Sequence, residues 1–197
     1  MVRHPWHITG PILATMITIV LIVSGIALVA LVHHGLSSRD QPTLTEETIA
    51  RVVRHFATRA SMRHVRNPVA LTSAALADAR AHWADHCATC HANDGSGETE
   101  IGRNLYPKVP DMRQARTQDL TDGELFSIIK NGIRLTGMPA WGDAAGHDDE
   151  DNWKLVHFIR HLPKITPQEL EEMKSMNPVN PTEMNEEQQE KKFLEGH

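Results

Sequence analysis

The sequence predicts an all-α protein: an N-terminal transmembrane helix, a helical linker, a small helical domain and an acidic C-terminal tail. Three observations carry this reading. Residues 8–32 are apolar, small or hydroxylated and hold no charge. Four later segments repeat apolar residues at a helical period behind Ser, Thr or Asp. No run alternates as a half-buried strand would.

The transmembrane helix comes first. From Ile12 to Val32 a helix would run about 30 Å, the thickness of a bilayer core. Gly10-Pro11 reads as its start, with proline tolerated in a first turn, and His33-His34-Gly35 as an interfacial exit. A cleaved signal peptide is the competing reading, with Gly25-x-Ala27 as its site, but signal cores run only about 7–15 residues. An uncleaved anchor is expected. Arg3 before the span and Arg39 and Arg51 after it do not fix its direction.

The 197 residues suffice for one compact domain with appendages. Boundaries fall at 1–38 (cytoplasmic N-terminus and anchor), 39–71 (basic helical linker), 72–163 (the domain) and 164–197 (short helix and acidic extended tail). In the linker, Thr43-x-x-Glu46 is a capping box, and Ile49, Val52, Val53, Phe56 and Ala60 keep a helical period. This stripe is expected to pack on the domain. Arg51, Arg54, Arg59 and Arg63 share the segment and could alternatively meet acidic headgroups or a neighbouring subunit. Asn67-Pro68 closes it.

Within the domain a helix is expected from Thr72 or Ser73 to Asp85, leading into Cys87. Gly95, Gly97, Pro107 and Pro110 make the next stretch a loop. Thr121-Asp-Gly-Glu124 is a second capping box, opening a helix that ends near Gly132. Asp148–Asp151 suits a helix N-terminus, with Trp153, Val156, Phe158, Ile159 and Leu162 as the apolar face and Pro163 as the stop. Thr166-Pro167-Gln-Glu169 begins one more short helix. Beyond Met176 the chain is polar and acidic and reads as extended or disordered.

The net charge of −5 is uneven: residues 39–73 hold six basic and three acidic side chains, and residues 165–197 three basic and eight acidic. No long basic run supports nucleic-acid binding. Aromatic residues are only 5% of the chain, and the anchor takes many of its apolar residues, so the domain is short of core. Such domains need a staple. The only two cysteines lie three positions apart, which excludes a disulfide framework and leaves a bound prosthetic group.

Cys87-Ala-Thr-Cys90-His91 carries the chemistry. Two thiols at this spacing can form thioethers with both haem vinyl groups, and the adjacent histidine then falls under the iron. A thioredoxin-like dithiol would want a βαβ setting, and a zinc site would want more ligands nearby. One covalent haem c on Cys87 and Cys90, with His91 as an axial ligand, is therefore expected. Met138 is the expected sixth ligand, because Gly137 lets the backbone approach and Pro139 stiffens the loop. Met112 and His147 compete for that role. His82 and His86 precede the motif, where geometry does not bring them to the far face.

These motifs, with Asn93-Asp-Gly-Ser-Gly97, Gly102-Arg-Asn-Leu105 and Arg134-Leu-Thr-Gly-Met-Pro-Ala-Trp-Gly142, resemble a class I monohaem cytochrome c of the membrane-anchored or dehydrogenase-associated branch. The resemblance covers residues 72–163. It implies a fold whose first and last helices cross near a haem edge, with Ala79 or Trp83 near Trp153, Val156 or Phe158. It also implies a proline carbonyl accepting a hydrogen bond from His91; Arg103 stands where a proline is usual, and Pro107 and Pro110 are the substitutes. Arg103, Tyr106 and Trp141 are candidate propionate or pocket contacts.

The expected function is single-electron transfer between respiratory or photosynthetic partners, with no small-molecule substrate at the iron and no catalysis. The haem domain would face the periplasm, with residues 8–32 in lipid and a membrane complex as the natural partner. A fixed haem subunit of a larger oxidoreductase or oxidase is the second reading, and a haem-based gas or redox sensor the third.

Overall fold

The computed structural model describes residues 6–34, 37–57, 62–179, 189 and 191–194. Every regular element among them is helical. They form two units, Met1–Ser37 and Ser38–His197.

The first unit is helix α1, Trp6–His34. Its stretch Gly10–Ala30 is 21 residues long, long and apolar enough to cross a membrane, with none of it buried in protein. Thr15 and Thr18 return their hydroxyls to the carbonyls of Pro11 and Ala14, so the span carries no unsatisfied hydroxyl at either threonine. The expected start at Gly10-Pro11 is corrected. Helix α1 begins earlier, at Trp6, and holds Pro11 inside it. Gly35 lies outside the described residues.

The second unit opens with α2, Leu44–Ala57. Thr43 caps it, donating its N–H to Glu46 at 2.7 Å and accepting from the Glu46 N–H at 3.2 Å. The expected packing of its apolar stripe is corrected. Ile49, Val52, Val53 and Phe56 are 49–78% exposed. Glu47 pairs with Arg116 at 3.3 Å. Ala60 and Arg59 lie outside the described residues.

The core is the crossing of α3, Ser73–His82, with α8, Asp149–His161. Helix α3 offers small buried residues, Ala75 and Ala79, which let the two axes approach. Helix α8 answers with buried Trp153, Leu155, Val156, Phe158 and Ile159. Removing that apolar area from water supplies the main stabilisation. Helix α7, Asp122–Asn131, packs against α8 through Phe126, stacked on Trp153 at 4.0 Å between centroids. Both of its caps follow the sequence: Thr121 and Glu124 form a full capping box, and Gly132 at φ +64° ends it. Helix α9, Pro167–Lys174, is closed by a second full capping box at Thr166 and buries Met173 completely.

Several boundaries differ from expectation. The helix entering the cysteine motif does not run on as one α-helix. Helix α3 passes at Trp83–Cys87 into a π turn, whose wider hydrogen bonds shift the register of the next turn by a fraction of a rotation. The motif itself is α4, Ala88–His91. The stretch read as continuous loop contains two short helices, α5 (Glu100–Asn104) and α6 (Ala115–Gln118). Thr99 caps α5 by accepting from the Gly102 N–H at 2.8 Å, a signal outweighed in the sequence by the surrounding glycines. Pro163 sits inside a 3₁₀ turn, Leu162–Lys164, that continues α8. Most of the acidic tail lies outside the described residues; of it, 191–194 are helical.

Candidate cofactor site

The π turn delivers Cys87 to the start of α4, and one further turn brings Cys90 and His91. Both cysteines are half-buried free thiols. Burial, reinforced by the neighbouring Cys90, pushes the Cys87 thiol up to about 12, and burial also raises Cys90. Burial pushes His91 down to about 4, so its imidazole is neutral at physiological pH. Its Nδ1 is buried and has no hydrogen-bond partner. Neither Pro107 nor Pro110 therefore accepts from that nitrogen.

An unpartnered buried nitrogen costs about 1–3 kcal/mol. A neutral ring is also the form that binds metal. Two protonated thiols and this ring on one turn fit covalent haem with His91 on the iron. They do not fit a reactive dithiol, which needs a lowered thiol pKa. No group of three or more His, Cys, Asp or Glu among the described residues could hold a metal ion by itself.

The motif is anchored from behind. Ala92 ends α4 at φ 60° and ψ 160°, and its carbonyl accepts from Trp83 Nε1 at 3.0 Å and from the Gly95 N–H at 3.1 Å. The Trp83 indole lies 5.6 Å from the His91 ring and 5.4 Å from Phe158, between centroids. The expected helix crossing is thus realised by Trp83 and Phe158, and it abuts the candidate iron ligand.

In front, the chain folds back over the motif. A Cβ at Gly102 would stand 2.5 Å from the Cys90 carbonyl oxygen, so only glycine fits there. Leu105 comes next, and its side chain fills the space where a Cβ on Gly137 would sit, 2.6 Å away. This contact brings the Met138 loop against the segment that covers Cys90. A second bridge joins His86 to Trp141, edge to face at 5.5 Å. The loop is held shut by Ile133 N–H donating to the Met138 carbonyl at 3.1 Å and Met138 N–H donating to Thr136 Oγ1 at 3.1 Å. Met138 itself is half-buried.

Met112 packs on the core and donates its N–H to the Gly95 carbonyl at 2.8 Å. His147 is exposed and bound to Asp143 at 2.5 Å. His82 ends α3, its ring 4.8 Å from that of His86. Arg103 is exposed and pairs with Glu98 at 3.5 Å. Tyr106 lies beside the Glu46 carboxylate of α2, and burial followed by that carboxylate raises its pKa. Trp141 is half-buried against the core.

Sequence reasoning placed Trp83 at the helix crossing but missed its hydrogen bond to Ala92, and it missed the backbone of Ala92 and the contact of Leu105 with the Gly137 position.

Residues 74–159 match the family model described as cytochrome c oxidase, cbb3-type, subunit III. No curated protein matches the chain.

Proposed function

Because residues 74–159 are a class I c-type cytochrome domain, we propose that the chain is a membrane-anchored, periplasm-facing carrier of single electrons. Cys87 and Cys90 would hold one haem through thioethers, and His91 and Met138 would be its axial ligands. The haem supplies a reversible one-electron couple, and a thioether ligand raises its potential. The chain's own residues do the rest. Trp83 and Phe158 fix the wall beside His91, burial keeps its imidazole unprotonated, and the Gly132–Trp141 loop fixes Met138. If His91 and Met138 both held the group, no open position would remain at it for a substrate, and the domain would carry electrons without catalysis.

The observation that supports this reading most is the Cys87-x-x-Cys90-His91 turn, with a half-buried imidazole whose buried Nδ1 has no hydrogen-bond partner, inside a domain of this family. The mass of the mature chain tests it. One added macrocycle that survives denaturation, lost in Cys87→Ser/Cys90→Ser, is expected. Unmodified thiols in protein matured with a functioning haem-attachment system would overturn it. Replacing Met138 by Ala should let ferrous protein bind carbon monoxide, which the parent chain should resist.

A second reading, a fixed haem subunit of a larger complex, is favoured by one observation: the matched family model is described as an oxidase subunit. Purification in mild detergent separates the two. Constant stoichiometry with other chains supports the subunit, and a lone polypeptide supports the free carrier.

A further inference from the structure

The stretch matched to the family model ends at residue 159, and the chain beyond it folds back onto the cysteine motif. Helix α9 is fixed to the domain by charge and by burial. Glu169 pairs with His161 at 2.9 Å and with Arg80 of α3 at 3.4 Å, and Glu172 pairs with Arg80 at 2.9 Å. Met173 is completely buried. Past the helix, the Met176 N–H donates to the Met173 carbonyl at 3.0 Å, and this turn brings Asn177 to the motif.

The Asn177 amide there bridges the two flanks of the motif. In the orientation that its neighbours require, its nitrogen donates to Asn93 Oδ1 at 2.8 Å and to the Ala84 carbonyl at 3.1 Å, and its oxygen accepts from Asn93 Nδ2 at 3.1 Å. Ala84 belongs to the π turn that delivers Cys87, and Asn93 stands two residues after His91. Between His91 and Asn93 lies Ala92, at φ 60° and ψ 160°. Such a backbone costs about 1–3 kcal/mol and persists only where surrounding contacts over-determine it. Trp83 supplies one of those contacts, at the Ala92 carbonyl. The reciprocal amide pair of Asn93 and Asn177 supplies another. An apolar pair would fill the same space, but a satisfied polar pair also fixes orientation.

We propose that Asn177 is a positioning residue for His91. It clamps the strained exit of the motif to the π turn at its entry, and so sets the orientation of the imidazole. This rests on the haem reading above.

Two measurements on the full chain in detergent, matured with a functioning haem-attachment system, test it. One is hydrogen exchange. The other is the ferric electron paramagnetic resonance spectrum, whose g values follow the orientation of the axial ligands. In Asn177→Ala, amides of residues 88–93 should exchange at least tenfold faster than in the parent, with α7 unchanged, and the g values should shift. Asn93→Ala should give the same shift, and the double variant no more than either, because both remove one interaction. Unaltered exchange would overturn the clamp. Faster exchange with unaltered g values, or shifts that add in the double variant, would overturn the positioning role. Exchange accelerated equally in α7 would make Asn177 a general support of the fold and overturn it too. Free thiols in the parent would overturn the haem reading and the positioning role with it, while exchange would still decide whether Asn177 holds the turn.

Discussion

Trp83 and Phe158 meet with 5.4 Å between ring centroids, while the Trp83 Nε1–H donates to the carbonyl of Ala92 at 3.0 Å. One side chain therefore ties the central helix crossing to the residue that ends the cysteine motif. Trp83 is 2% exposed, so both contacts are shielded from water.

Substituting Trp83 separates the two roles. Trp83→Phe keeps much of the packing and removes the hydrogen bond, costing about 1 kcal/mol. Trp83→Ala also leaves a cavity and should cost about 3–5 kcal/mol. Denaturant titration followed by far-ultraviolet circular dichroism reads both. A Phe variant as stable as the parent would show that the bond to Ala92 contributes nothing.

Ala92 holds φ 60° and ψ 160°, a region that glycine occupies readily and alanine does not. Ala92→Gly relieves strain of about 1–3 kcal/mol and adds about 0.5–1 kcal/mol of unfolded-state entropy. A net gain near 1 kcal/mol is expected, seen as a higher denaturation midpoint at unchanged slope. A lower midpoint would mean that the strain is absent in solution.

These two residues also mark where sequence reading stops. The capping boxes at Thr121 and Thr166 were legible because the cap and its glutamate are three positions apart and the interaction is local. The spacing of Cys87, Cys90 and His91 was legible for the same reason. Ala92 gave no sign, since an alanine forced into positive φ looks like any alanine. Leu105 meeting Gly137 was hidden because the contact depends on two loops folding over the motif. Helix α2 falls between these cases. Its period revealed an apolar face, but which side the domain takes depends on where Arg116 and Tyr106 lie.

Arg113 joins Asp111 at 2.8 Å and Asp94 at 2.7 Å, pinning the Pro110–Arg113 turn to the loop just after the motif. Hydrogen bonding from Arg113 holds the Asp111 carboxyl down at about 2. A carboxylate whose folded pKa is depressed stabilises the protein above its unfolded value, near 4, and loses that contribution as pH falls toward 2. The pair is about a third exposed, so solvent screening reduces its worth to about 1 kcal/mol. Asp111→Asn should therefore cost about 1 kcal/mol at pH 7 and progressively less between pH 4 and pH 2. Stability curves of both proteins across that window should converge at the acid end. Parallel curves would show that the ion pair does not contribute.

Gly132 governs the loop that carries Met138. Its φ of +64° disfavours any side chain, and a Cβ there would lie 2.7 Å from the Met138 carbonyl oxygen and 2.6 Å from the Pro139 carbonyl carbon. Those are backbone atoms, so the loop itself must move. Gly132→Ala should destabilise the fold by about 1–3 kcal/mol, from backbone strain alone. It should also displace the loop from the Ile133–Met138 hydrogen bond that closes it. If Met138 is the sixth ligand, the ferric spectrum should lose its methionine–iron charge-transfer band and the ferrous protein should gain affinity for carbon monoxide. The domain's helical content should stay the same. Gly137→Ala is the matched control. The atoms nearest its Cβ belong to the movable Leu105 side chain and not to backbone, so the same spectroscopic change should be weaker. Destabilisation in Gly132→Ala with an unaltered iron spectrum would place the axial ligand outside this loop.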